Sequence, residues 1–317
     1  MIPLDTPWIH LFNLLPKLVT PGRLPPECDT GFYREIHDDL ARFSDDELRV
    51  HFCNHGIREG RIGSPAAHRA GFLATIPQCD RLEIGPFTRP TLRGPNVKYL
   101  DVMDKAELLK RAAEHHYPAE TAVEIDYVSS HGSLEMVPDR SFDVVFSSHC
   151  IEHQPDLIGH LNEVERVLRP GGRYFLIVPD RRYCFDHYIE PSPIEEVLAA
   201  HAEKRTAHTR QSVVNHYTRT THNHCIRHWC GDHGDPPAQD QTERIASAER
   251  RHAQAAGSYL DVHAWQFEPA TFRRIMTELR SRRAIGLQAE RVYETVWGQL
   301  EFTAVLRKDP RFGWSWL

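Results

Sequence analysis

The chain has 317 residues, 40% of them hydrophobic and 26% charged, which excludes a disordered protein and gives enough interior for one large domain or two ordinary ones. Lys and Arg number 38 against 44 Asp and Glu, a formal charge of −6 that argues against a general nucleic-acid binder with a basic face. The seven cysteines (Cys28, Cys53, Cys79, Cys150, Cys184, Cys225 and Cys230) are scattered and never at CxxC spacing, as expected of free thiols in the cytoplasm.

The first segment, MIPLDTPWIHLFNLLPKLVT, is apolar but has no basic region ahead of it, carries Asp5 and is broken by Pro16. It reads as a short amphipathic helix packed on the body, not as a signal peptide, and no apolar run elsewhere is long enough for membrane insertion. A boundary rich in Pro and Gly follows at 21–31. A small helical module is expected over 31–62, with Ser44 and Glu47 as a capping box, Leu48 and Phe52 on one face, and Gly56 just past the helix end.

From 65 to 180 short apolar runs alternate with helical patterns. Strands are expected at 81–85, 97–102, 122–128, 142–148 and 173–179. Between the last two, Ile158, Leu161, Val164 and Leu168 recur at helical spacing until Pro170-Gly171-Gly172 stops the helix. Such alternation implies parallel strands joined by right-handed crossovers, with ligands bound beyond the C-terminal strand ends. The stretch 185–262 is polar and His-rich without an evident strand, and is expected to lie over the sheet as helix and long loop. A helix with Pro269 in its first turn and two strands at 287–297 and 299–308 close the chain.

The chemistry begins at Leu82-Glu83-Ile84-Gly85-Pro86, a strand ending in an acid and a glycine turn. Asp101 ends the next strand, where a carboxylate can accept both hydroxyls of a ribose. The turn continues with Pro86, Phe87 and Thr88, too bulky to cradle a pyrophosphate. The ligand expected is therefore an adenosine without phosphates, and Glu83 suits one that carries positive charge.

These segments, together with SFDVVFSSHCIEHQPDLIGHLNEVERVLRPGGRYFLIVPD and FTAVLRK, resemble the class I S-adenosylmethionine-dependent methyltransferases of the type 11 group over roughly 65–180 and 266–308. The resemblance implies an α/β fold: a doubly wound, mostly parallel, Rossmann-like sheet of seven strands. It divides the chain into a helical module (1–64), a cofactor-binding core (65–184), a His-rich lid (185–265) and the end of the core (266–317). It implies S-adenosyl-L-methionine as cofactor, with Glu83, Gly85 and Pro86 at its methionine end and Asp101 on its ribose. Gly132, Ser133 and Leu134 would face adenine, although the Asp usual in that stretch is absent. Ser147, Ser148 and His149 would face both cofactor and acceptor.

An oxygen acceptor needs its nucleophile aligned with the methyl group and a base for the hydroxyl proton. His149 is the first choice of base; the Glu152-His153 pair recurs in the family whatever the substrate and can equally orient the loop. Asp261 and His263, alternating in DVHAW with Trp265, form a second acid–base pair or line the acceptor site. Arg181, Arg182 and Tyr183 follow the fifth strand and could grip an acidic acceptor, or form a solvated turn.

His222, His224, Cys225, His228, Cys230 and His233, with His208 and His216 upstream, are metal-ligand types, but their spacing matches no zinc motif, so no metal is assigned. The 31–62 module resembles helical segments beside bacterial glycosyltransferases and other glycan-assembly enzymes, or is a platform or homodimer contact. The reading that follows is O-methylation of a sugar, glycan precursor or similar small molecule. Its rivals are N- or C-methylation of a natural product or peptide, a nicotinamide-dependent dehydrogenase (disfavoured because GxGxxG is missing) and a catalytically silent interaction protein.

Overall fold

The computed structural model describes residues 8–258 and 260–310; the start of the N-terminal apolar segment, with Asp5, lies outside them. Seven strands, β1 (Arg81–Ile84), β2 (Val97–Asp101), β3 (Tyr127–Val128), β4 (Phe142–Ser148), β5 (Leu168–Pro179), β6 (Leu287–Val292) and β7 (Glu301–Lys308), form one sheet in the order β3-β2-β1-β4-β5-β7-β6. Strand pairs from β3 to β5 are parallel, and β7 runs antiparallel to both neighbours. The sheet is thus the doubly wound, mostly parallel one expected. Its strand order reverses between β1 and β4, where such sheets open a crevice.

Period-two alternation explains burial on both faces. Along β5, Tyr174, Leu176 and Val178 pack on one side with Leu161, Val164, Phe272 and Met276 from the helices Leu157–Val167 and Pro269–Ser281. Phe175 and Ile177 point to the other side, against Leu15, Phe32, Ile62 and Phe72. The N-terminal helices therefore share a core with the sheet, and only Tyr33, Leu40, Leu48 and Phe52 form a cluster of their own. The Ser44–Glu47 capping box is formed. The segment 185–262 is helical at Ile194–Ala202, Arg210–Arg219, Cys225–Trp229 and Thr242–Ala255, with no strand among its described residues. No described helix is long and apolar enough to cross a membrane.

Four local expectations need correction. Strand β3 is only Tyr127–Val128, because the Asp126 carboxylate takes the Tyr99 N–H at 3.0 Å, a donor that a longer ladder would use. Strand β6 ends at Val292, since Thr295 turns inward and donates to the buried Asp180 at 2.6 Å. The helix before β5 stops at Val167, ahead of Pro170, and the Pro-Gly-Gly turn belongs to β5 itself. Gly56 continues its helix at φ −56°, where a side chain would run into the Tyr33 hydroxyl; the left-handed end is Gly60 at φ +69°.

Folding buries His160 against the Tyr174 hydroxyl, which also bonds Ser147. Burial lowers its pKa from 6.5 to about 4, against an opposing pull from the Asp156 charge. Between those values the unfolded chain binds the proton and the folded chain does not. Stability therefore falls as pH drops from about 6.5 to about 4, by roughly 3 kcal/mol from this group. Urea midpoints measured between pH 7.5 and 4.5 should show a slope of this sign, and His160→Gln should reduce it by the share of this group, the other buried histidines keeping theirs.

Candidate active site

The crevice at the strand-order switch is an open cleft of about 910 Å³, mouth included. Its floor comes from the ends of β1 (Ile84, Gly85) and β2 (Leu100, Asp101) and from His149 and Cys150 after β4. Phe87, Val102, Met103, Leu108 and Tyr117 make an apolar wall, and Gly132, His153, Gln154, Arg111 and Asp261 complete the rim. A salt bridge of 3.0 Å between Arg111 and Asp261 ties the helix Lys105–Glu114 to the His-rich segment across the mouth.

Gly85 turns at φ +69° and an added Cβ would come within 2.4 Å of Cys150 Sγ, so the chain passes here only as glycine. Asp101 is almost fully buried. Its Oδ2 accepts the Phe87 N–H at 3.0 Å and its Oδ1 the Val102 N–H at 2.7 Å, which fixes the carboxylate with acceptor capacity left for a ligand hydroxyl. Burial raises the Asp101 pKa, and these backbone donors oppose the rise. The cleft holds no unpaired described cation to meet phosphates, and its apolar wall with a carboxylate floor fits a nucleoside without them.

Glu83 does not reach the cleft. It is 2% exposed, and its two oxygens take the N–H groups of Thr91 and Leu92, both at 2.8 Å. The carboxylate thus holds the loop after β1 from beneath. Burial pushes its pKa up to about 7, with the two backbone donors pulling it down.

Other expected contacts are also redirected. Pro86, Ser133 and Leu134 do not line the cleft: Leu134 is core and Ser133 accepts the Glu135 N–H. Ser147 is buried against Tyr174, and Ser148 accepts from Arg69 Nη2 at 2.8 Å. Arg181 binds Glu268 and the His187 carbonyl, Arg182 grips the buried Asp180, and Tyr183 stacks on Trp229 with centroids 3.8 Å apart. These three residues anchor the His-rich segment to the sheet instead of gripping an acceptor.

The histidines converge more tightly than expected. His149, at φ +54°, places Nε2 2.7 Å from Glu301 Oε2, and Glu301 is also held by Arg69 at 2.8 Å. Burial would raise the Glu301 pKa, but hydrogen bonds from His149 and Arg69 hold it at about 2. His153 bonds the Val262 carbonyl through Nδ1 at 3.1 Å, and burial drives its pKa well down. His263 meets Asp186 at 2.6 Å; burial lowers its pKa, but the Asp186 charge and hydrogen bond raise it further. Asp261 lies at the rim, 3.7 Å from His153, and the carboxylate that His263 bonds is Asp186. Trp265 is core, its indole N–H on the Gln154 carbonyl.

Glu301, Arg69 and Asp186 carry no motif that a linear reading could find. Cys150, half-buried at the cleft floor, is a poor nucleophile: its thiol donates to the Ile84 carbonyl at 3.3 Å, and desolvation pushes its pKa well up.

In the His-rich segment, His222 contacts the Asp232 carbonyl and the His224 N–H, and the Cys225 thiol donates to Gly298. The six residues from His222 to His233 do not converge as a set. His228 and His233 instead meet His187, which their spacing gave no reason to include.

A family model described as a methyltransferase domain matches residues 85–176, from the glycine turn into β5. A 75-residue stretch, 22% of this chain, is 35% identical to 27-O-demethylrifamycin SV methyltransferase of Amycolatopsis mediterranei (strain S699) and spans 28% of that relative's length. Similar solved structures include an S-adenosylmethionine-dependent methyltransferase from Mesorhizobium loti, at 15% identity over 73% of this chain and 91% of that one, TM-score 0.38. Another is Burkholderia thailandensis 1,6-didemethyltoxoflavin-N1-methyltransferase with bound 1,6-didemethyltoxoflavin and S-adenosylhomocysteine, at 13% identity over 91% and 94%, TM-score 0.36.

Proposed function

We propose that this chain, which carries a methyltransferase domain over residues 85–176, transfers the methyl group of S-adenosylmethionine to a hydroxyl of a small molecule, a sugar or glycan precursor being the favoured class. The observation that carries it is the cleft itself: Gly85 and Asp101 at its floor, and His149 beside them. Asp101 would hold the ribose and the Phe87–Met103 wall the adenine. Bound there, S-adenosylmethionine supplies an electrophilic methyl on a sulfonium.

The chain's own task is to present and deprotonate the acceptor. Glu301 accepts the His149 Nε2–H, which leaves Nδ1 with a lone pair. Arg69 fixes Glu301 in turn, so the ring is oriented before the acceptor arrives. An oxygen nucleophile gains from such a base, whereas a neutral amine needs little help. The match to a methyltransferase acting on 27-O-demethylrifamycin SV also favours an oxygen acceptor.

His149→Ala is expected to lower kcat by roughly 100-fold with S-adenosylmethionine affinity changed much less. Formation of S-adenosylhomocysteine, followed across a panel of sugars and nucleotide sugars, checks both points. Turnover on amines alone, unaffected by His149→Ala, would replace the oxygen reading with the nitrogen one.

A further inference from the structure

Glu152 is fully buried behind the cleft, and no other described residue donates a hydrogen bond to either of its carboxylate oxygens. Its Oε1 instead faces three ring nitrogens: His153 Nε2 at 3.8 Å, His263 Nε2 at 3.8 Å and His149 Nδ1 at 3.9 Å. The opposite nitrogen of each ring meets an acceptor, the Val262 carbonyl, Asp186 and Glu301 respectively. Those acceptors fix the far nitrogen of each ring, so the nitrogens that face Glu152 are the ones open to a ligand. A metal ion among them would be coordinated by the carboxylate and the rings together, displacing any proton held there. An imidazole whose far N–H is held by a carboxylate or a carbonyl is also the usual state of a metal-binding histidine.

We propose that Glu152, His153 and His263 bind one divalent transition-metal ion whose open positions face the cleft. Their ligand atoms all lie within 4.8 Å of one another. A point equidistant from the three is no more than about 2.5 Å from each, so closing to the usual 2.0–2.2 Å needs only small side-chain shifts. Two imidazoles and one carboxylate suit zinc, iron(II), cobalt or manganese better than magnesium or calcium. His153, the one ligand that reaches the cleft, marks the side from which the ion is approached. On the methyl-transfer reading, the acceptor class that fits is a molecule with two neighbouring oxygens, a vicinal diol or a hydroxy-carbonyl, able to chelate the ion while one hydroxyl is polarised. The metal site itself does not depend on that reading.

A second cluster, His187, His228 and His233, provides the control: its ligand atoms also lie within 4.8 Å of one another, but none of the three lines the cleft and no carboxylate joins them. His228 Nδ1 there meets His233 Nδ1 directly at 3.1 Å.

The chelator-stripped full-length protein is titrated calorimetrically with Zn²⁺, Mn²⁺ and Co²⁺, and separately with S-adenosylhomocysteine. The expected result is one metal equivalent per chain, weakened at least 100-fold by Glu152→Gln with S-adenosylhomocysteine affinity kept, and unaffected by His233→Ala. Bound cobalt should give visible absorption bands that Glu152→Gln removes. His153→Ala, at a less buried position, gives the same loss of metal uptake if the first variant misfolds, with no condition set on its S-adenosylhomocysteine affinity because His153 lines the cleft. Absence of saturable uptake, or uptake that survives both substitutions and disappears with His233→Ala, overturns the site. Metal uptake as expected without S-adenosylhomocysteine binding supports the site and sinks the methyl-transfer reading.

Discussion

Replacing Asp101 with alanine is expected to weaken S-adenosylmethionine binding about 1,000-fold in calorimetric titration, without unfolding the protein. The carboxylate stands at the end of β2, 6% exposed, with each oxygen already fixed by one backbone N–H. It cannot rotate away, so its remaining lone pairs are aimed before any ligand arrives. Two hydroxyls of a ribose would each make a charge-assisted hydrogen bond, worth about 1.5–3 kcal/mol apiece. Their joint loss is about 4 kcal/mol, or three decades in Kd. Alanine also strands the N–H groups of Phe87 and Val102, which loosens the loop that walls the cleft. Asp101→Asn should fall between, because its amide nitrogen must oppose one of those donors. An Asp101→Ala protein that binds within tenfold of the parent would remove the ribose assignment.

The sheet was legible because its signals are local. Strands β1, β4 and β5 are short apolar runs that bury both faces, and the helix between the last two shows its own spacing. The cleft was legible to the extent that strand ends define it: Gly85, Asp101 and His149 all line it. Glu83 shows the limit of that logic. An acid at a strand end is visible in the sequence, but the Thr91 and Leu92 N–H groups that capture it are not, since loop curvature brings them there. The same holds for the contacts that organise the histidines. Asp186 lies 77 residues from His263, Val262 109 from His153, and Glu301 152 from His149. No periodicity carries information over such separations. Arg181, Arg182 and Tyr183 were misplaced for a related reason: charge and position suggested an anion grip, while burial beside Asp180, Glu268 and Trp229 uses those side chains as anchors.

Gly85→Ala should abolish saturable S-adenosylmethionine binding at millimolar concentrations and lower the melting temperature. Two costs coincide at this residue. Its φ of +69° lies in the left-handed region, which charges an alanine about 1 kcal/mol. The second cost is contact: the new methyl would meet Cys150 Sγ at 2.4 Å, so the thiol must give up its bond to the Ile84 carbonyl or the turn must move. Cys150 is held by its bond to the Ile84 carbonyl, and the Gly85 N–H is tied to the Leu100 carbonyl at 2.8 Å. A turn that moves is pushed out into the cleft, across the space between the β1 end and Asp101. The double variant Gly85→Ala/Cys150→Ala separates the two costs, because removing Sγ leaves the nearest Cys150 atom 3.9 Å from the added methyl. Cys150→Ala alone should bind nearly as well as the parent, and the double variant should recover to within about tenfold, the residue of backbone strain. A double variant as defective as Gly85→Ala would mean that crowding against Cys150 is not what demands glycine at the turn.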